Sequence, residues 1–423
     1  MPDPSPRPHL FVDISAHGLG HLAQVAPVLN ALACRLENLR MTLRSALPTA
    51  MLQARIEAEF THLAASSDFG YVMHDAMRVD LEASARAYCA QHADWDLRVA
   101  HEARLLAGLA PDLLLSDVAY LPLAGAARAG IPAVAMCSLN WAGLFAHFFA
   151  AEHWAGEIHR QMLSAYNSAA CFLRLTPAMA MPELSGKRDI GPVAALGEDC
   201  RQSIRARLRC ADDERLVLIA FGGVSKQLPL AAWPRVARVR WLVPQAWQLA
   251  HPCASDFEPL GRSFTDLMCS VDAVIAKPGY GTFAEAACNG TPVLYVRRHD
   301  WPEQHCLIDW LERHGQCREI SEAELLAGQL EAALEALWQQ PVPPNPLPVG
   351  AAESAAILLP WLRRAGRRWP RRARQALPMI TKGPCRQHGS GGVTAPDTWR
   401  DRTSFREPCP VRRWVSIHRR LRR

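Results

Sequence analysis

The 423-residue sequence contains no run of 18 uninterrupted apolar residues, so it offers no candidate for a membrane-spanning helix. Its opening stretch, Met1-Pro2-Asp3-Pro4-Ser5-Pro6-Arg7-Pro8, is rich in proline and lacks the apolar centre of a secretory signal. The 13 Cys are odd in number, scattered and without a C-x-x-C pair. That pattern favours reduced thiols in a cytoplasmic protein over a disulfide framework or a zinc site. No G-x-x-x-x-G-K-[ST] phosphate loop occurs, and the first glycine loop lacks the third glycine of a dinucleotide fingerprint. A nicotinamide cofactor is therefore not expected.

The net charge of +6 conceals two unlike regions. From Arg363 onward, 18 Lys and Arg stand against 3 Asp and Glu. The first 362 residues carry 29 basic and 38 acidic side chains, a net charge of −9. The globular part is mildly acidic, and nucleic-acid binding does not follow from the overall pI. The basic end has paired arginines, a Gly389-Ser390-Gly391-Gly392 run and no apolar periodicity. It is expected to be disordered, with anionic-membrane contact as one reading and no selected role as another.

What remains is a repeated unit of buried strand, glycine turn and helix. Asp272-Ala273-Val274-Ile275-Ala276 is β-branched and apolar, suited to a parallel strand covered on both faces. Lys277-Pro278-Gly279-Tyr280-Gly281 then breaks the strand. Thr282 and Glu285 are spaced as a capping box for the helix that follows, whose N-terminus favours a phosphate group. Leu10-Phe11-Val12-Asp13-Ile14 leads likewise into Ser15-Ala16-His17-Gly18-Leu19-Gly20-His21 and a helical pattern through Val25, Val28, Leu29 and Leu32. Leu216 to Ala220 runs into Phe221-Gly222-Gly223. Further strands are expected at 41–45, 111–117, 131–136, 239–243 and 292–298, and residues 51–110 and 142–175 are expected to be mostly helical. The βα alternation occurs twice, around a turn-rich connection at 176–200. The expectation is an α/β protein with doubly wound domains at 9–176 and 177–362, a cleft between them, and a tail at 363–423.

No metal site is expected. His17 and His21 flank glycines instead of sharing a helical face, and His147, His153 and His159 lie six residues apart. Asp94-Trp95-Asp96 has a D-x-D form, but its surroundings read as helix and solvated surface.

The stretches His17-Gly18-Leu19-Gly20-His21, Leu115-Ser116-Asp117-Val118, Ser138-Leu139-Asn140-Trp141, Lys277-Pro278-Gly279-Tyr280-Gly281-Thr282 and Val296-Arg297-Arg298 resemble, in order and spacing, the GT-B glycosyltransferases. The likeness is to UDP-glycosyltransferases and the N-acetylglucosaminyltransferase of peptidoglycan synthesis. It is nearer still to the glycosyltransferase-like N-terminal part of L-arabinokinases, and covers about residues 9–362. The resemblance implies two Rossmann-like domains and inverting, metal-independent transfer from a nucleotide sugar, with UDP expected as the nucleotide. The acceptor would be a sugar, a lipid or a small molecule. His21 would be the general base and Asp117 its partner, with His17, Gly18, Gly20 and Asn140 on the acceptor side. On the donor side, Gly222, Gly223, Gly279, Gly281 and Thr282 would approach the diphosphate. Glu285 would hold the ribose, and Glu303 and Gln304 the donor sugar. The residues themselves leave other roles open: Glu285 as part of a cap, His21 as a structural loop histidine and Asp117 as a helix cap. In arabinokinases this part accompanies a sugar kinase domain, which is not expected here. An inactive sugar-nucleotide-binding protein, or a sugar-nucleotide epimerase on the same fold, would share these motifs.

Overall fold

The computed structural model describes residues 7–221 and 228–364. Gly222, Gly223 and residues 365–423 of the expected tail lie outside the described residues. The first sheet comprises β1 (His9–Ile14), β2 (Arg40–Arg44), β3 (Thr61–Leu63), β4 (Leu113–Asp117), β5 (Ala133–Cys137), β6 (Cys171–Leu175) and β7 (Lys187–Ile190). The second comprises β8 (Arg215–Ala220), β9 (Val239–Val243), β10 (Ala254–Asp256), β11 (Ala273–Ala276), β12 (Val293–Tyr295) and β13 (Cys317–Glu319). Their orders are β3-β2-β1-β4-β5-β6-β7 and β10-β9-β8-β11-β12-β13. Every ladder is parallel.

Parallel strands with helices on both faces bury both sides of the chain. Hence Leu113-Leu114-Leu115 and Val217-Leu218-Ile219 are unbroken apolar runs, buried throughout. Each such Leu, Val or Ile taken out of water contributes about 1.5–3 kcal/mol before chain entropy is counted. Strand order reverses between β1 and β4 and again between β8 and β11. At such reversals the loops beyond the strand ends diverge and leave a crevice. The glycine loop after β1 and the Lys277–Gly279 turn after β11 sit at these two places.

The strands expected from apolar runs are present. The 51–110 and 142–175 segments are less uniformly helical than expected, since β3 and β6 lie within them. β7 lies past the boundary expected at 176/177 and pairs with β6 in the first sheet. The closing helix Gly350–Arg364 also returns to the first half and packs on the Leu19–Ala33 helix. Arg35 Nη1 donates to the Ala352 carbonyl at 2.9 Å, and Glu353 Oε2 accepts the Gly191 N–H at 2.8 Å. Tyr280 adds a further tie, donating its hydroxyl to the Thr176 carbonyl at 2.9 Å and accepting the Val193 N–H at 3.0 Å. Among the described residues, no helix is long and apolar enough to cross a membrane.

Candidate active site

Parallel register brings the first chemistry together. Ile14, the last residue of β1, pairs with Asp117, the last of β4. The loop leaving β1 reaches Gly18, whose φ of 116° suits glycine, and the Leu19–Ala33 helix begins beyond it. His21, in that helix's first turn, is thereby set over the end of β4. Its Nδ1 lies 3.1 Å from Asp117 Oδ2 and 3.3 Å from Oδ1, with both residues buried. Burial alone would lower the His21 pKa. The Asp117 charge and hydrogen bond reverse that and hold it well above 6.5. Burial also raises the Asp117 carboxyl. The pair thus retains a proton that two solvated groups would release more readily.

Cys137, at the end of β5, places Sγ 3.9 Å from His21 Nδ1. One ligand-type atom from each of His21, Asp117 and Cys137 falls within 4.8 Å of the others, so these three residues could hold an ion. His17 behaves differently from His21. Its ring stacks on Trp301 with centroids 5.8 Å apart and meets Trp141 edge-on at 5.4 Å. Burial, then the charges of His21, Arg298 and Lys277, push its pKa down to about 3. It is a neutral imidazole beside one whose pKa Asp117 raises.

The second half contributes cations. Lys277 follows β11, and its Nζ lies 4.0 Å from where a Cβ on Gly279 would stand. The ammonium is thus folded towards the start of the Tyr280–Asn289 helix, whose N-cap is Gly279. Burial and the neighbouring Arg298 lower the Lys277 pKa to about 7. Arg298, in the loop after β12, is buried, with Cζ 3.8 Å from the Trp301 ring centroid. Burial lowers its pKa to about 10, and its Nε has no hydrogen-bond partner. Glu303 is the carboxylate facing both cations. It accepts Ser138 Oγ at 2.6 Å and Trp301 Nε1 at 3.1 Å. Ser138 in turn donates its N–H to Gln24 Oε1 at 3.0 Å, which carries the network back to the first helix.

No family model matches the chain. The chain is 26% identical over 337 residues to an L-arabinokinase of Arabidopsis thaliana, an alignment covering 76% of this chain and 31% of that protein. It therefore spans about a third of the length of that curated relative. Among solved structures it is similar to the glycotransferase of kitacinnamycin, with a TM-score of 0.53 and 17% identity over 85% of this chain and 96% of the other. It is also similar to a Polygonum tinctorium UDP-glucosyltransferase capable of glucosylating indoxyl, with a TM-score of 0.52 and 13% identity over 85% and 100% of the two chains. The chain has the GT-B fold.

Several of the expected site residues have partners of their own within the fold. The capping box of Thr282 and Glu285 does not form, because the helix already starts at Tyr280 and its N-cap Gly279 offers no side chain. Glu285 instead points into the interface between the halves, where Arg55 engages both of its oxygens and Glu285 is 1% exposed. Its carboxylate is already occupied by an arginine from the first half. Gln304 clamps the Arg298 backbone, accepting its N–H at 2.9 Å and donating to its carbonyl at 3.1 Å. That clamp positions Arg298 and uses the Gln304 amide. Asn140 is buried as the N-cap of the Trp141–Phe149 helix, its Oδ1 accepting the Gly143 N–H at 2.7 Å. Gly281 serves packing: a Cβ there would stand 2.7 Å from the Ala23 Cβ and 3.6 Å from the Gly20 Cα. The two helix starts therefore touch, and Gly281 lets them approach.

Lys277 and Arg298 stand within the motif stretches but were given no role from sequence, and Trp301, Arg55, Cys137 and Asp68 were given none either. Lys277 and Arg298 had a readable signal, since each is a cation at or just past the end of an apolar parallel strand. Asp68 and Arg55 lie outside the regular elements and offered none.

Proposed function

We propose that this chain transfers a glycosyl group from a nucleotide sugar to an acceptor hydroxyl with inversion. One observation carries the reading: a buried His21–Asp117 pair at the ends of β1 and β4 faces a cationic pair, Lys277 and Arg298, beyond β11 and β12. His17 and His21 both meet the Trp141 ring, and His17 stacks on Trp301, whose face carries Arg298, so base and cations share one neighbourhood. In the proposed step His21 Nε2 takes the acceptor hydroxyl proton as the acceptor oxygen bonds to the sugar's anomeric carbon. The bond from that carbon to the diphosphate oxygen breaks, and its electron pair leaves with the nucleoside diphosphate. Asp117 orients the ring and stabilises the imidazolium. Lys277, Arg298 and the N–H groups at Tyr280–Thr282 meet the charge that builds on the leaving diphosphate.

A UDP-sugar is the proposed donor, supported by the likeness to a UDP-glucosyltransferase. Because protein cations carry the leaving-group charge in this scheme, added EDTA leaves the rate unchanged. The test is a screen of nucleotide sugars for nucleoside diphosphate release that requires an acceptor, with the anomeric configuration of the product read by NMR. Release without inversion would refute the single-step scheme.

A second reading has its own support. Glu285 and Gln304, both donor ligands by resemblance, are engaged by Arg55 and by the Arg298 backbone. A sugar-nucleotide-binding protein without turnover would tolerate that. Donor binding with no release across the acceptor screen would favour it.

A further inference from the structure

A cavity of about 450 Å³ lies beyond the ends of β1, β2 and β3. Leu19, Leu47, Pro48, Met51 and Phe69 give it apolar walls, and His17 forms the side nearest the proposed base. Among its lining residues only Asp68 carries a formal charge, since His17 is neutral. Asp68 accepts Ser15 Oγ at 3.1 Å and Trp141 Nε1 at 2.8 Å, both neutral donors. No Lys or Arg pairs with it among the described residues. The buried Arg44 is shared between Asp13 and Glu102, so one cation serves two carboxylates, and the Asp13 charge still acts on Asp68. Burial and Asp13 raise the Asp68 pKa to about 6, so at pH 7.5 it is ionised. The one cation that acts on it, His21, is already held by Asp117, so a partly buried carboxylate with no Lys or Arg of its own favours a ligand that brings one.

We infer that the acceptor is a compact, mainly apolar molecule bearing a protonated amine, with the amine docked on Asp68. This rests on the glycosyl-transfer reading and names its acceptor class. The cavity's apolar walls would hold the skeleton, and the His17 side would direct a hydroxyl of the same molecule towards the His21 loop. The cleft is thus polarised, negative where the acceptor binds and positive where a diphosphate would leave.

The experiment measures binding of three matched probes to the full chain at pH 7.5 by ligand-observed NMR and calorimetry. They are tyramine (a cation), 4-ethylphenol (neutral) and 3-(4-hydroxyphenyl)propionate (an anion). UDP binding is measured separately on the same samples. Tyramine is expected to bind at least tenfold tighter than 4-ethylphenol, and the propionate weakest. Asp68→Asn should erase the preference while UDP affinity stays unchanged. Ala46→Lys, at an exposed rim position, should do the same without disturbing the Trp141 hydrogen bond. Equal binding of tyramine and 4-ethylphenol would overturn the inference, as would a preference that survives both variants or a cavity that takes no probe. UDP binding without an amine preference refutes only the acceptor class. An amine preference without UDP binding refutes the transferase reading and leaves the cation site standing.

Discussion

Replacing Asp117 by Asn removes the group that holds a proton on His21. In the folded wild-type chain the His21 pKa is raised well above 6.5 by Asp117, whereas in the unfolded chain it returns to 6.5. Between those values the folded state binds one more proton than the unfolded state. The pair's contribution is therefore fully present below pH 6.5 and declines by about 1.4 kcal/mol per pH unit as pH rises towards the folded pKa. Lys277 titrates in the opposite sense. Its folded pKa of about 7 lies below the ordinary 10.5, so it adds stability as pH rises from 7 to 10.5. The informative quantity is accordingly the difference between wild type and Asp117→Asn. For two-state unfolding of roughly 360 ordered residues, 1.4 kcal/mol corresponds to about 2 °C in Tm. The wild-type advantage in Tm should shrink by about 2 °C per pH unit above 6.5, as read by thermal melts from pH 6 to 9. Turnover should move the other way with pH. The proposed base must be unprotonated, so wild-type kcat rises with pH above neutrality. Asp117→Asn shifts that rise to lower pH and lowers kcat by about 10²-fold or more. A Tm difference independent of pH, together with an unshifted kcat profile, would refute the pairing as described.

Gly281→Val should lower Tm, because its Cβ would meet the Ala23 Cβ at 2.7 Å; overpacking of this kind costs about 1–3 kcal/mol. Gly20→Ala, with open space around the added Cβ, is the control and should change stability by less than about 0.5 kcal/mol. Arg55→Ala leaves the Glu285 carboxylate buried and unpaired, a loss of about 2–4 kcal/mol by chemical denaturation, with much of it recovered in Arg55→Met/Glu285→Met. If Glu285 also serves the donor ribose, Arg55→Ala should tighten UDP binding while Glu285→Gln weakens it. Lys277→Met should weaken UDP binding by about tenfold or more. It should also abolish the proton uptake expected at pH 8, where a bound diphosphate would reprotonate a lysine whose free pKa is about 7; calorimetry in buffers of different ionisation enthalpy reads this.

The central strands were legible because burial on both faces leaves unmistakable apolar runs such as Leu113-Leu114-Leu115. The strands not anticipated from sequence include edge strands, and these are short. β3, β10 and β13 have three residues each, and β7 reads Lys-Arg-Asp-Ile, so nothing in its composition marks a strand. β7 forms because β6 offers an open parallel edge. The His21–Asp117 pair was implied by the resemblance; in the fold Ile14 and Asp117 end neighbouring parallel strands, and the loop leaving Ile14 carries His21 over Asp117. Glu285 could not be read so far. Its spacing from Thr282 fits a cap, but its partner Arg55 is 230 positions away and belongs to no periodic pattern. Asn140 was placed on the acceptor side by resemblance, whereas Oδ1 is spent on the helix it begins.

The central claim is that His21 is the base of a transfer whose leaving group is met by the opposite half of the cleft. Its most direct test is single-turnover transfer in His21→Ala, paired with the Kd for UDP. The account predicts a fall in the chemical step of about 10²–10⁴-fold with UDP affinity within about twofold of wild type. Wild-type turnover in His21→Ala, or loss of UDP binding equal to the loss of rate, would contradict it.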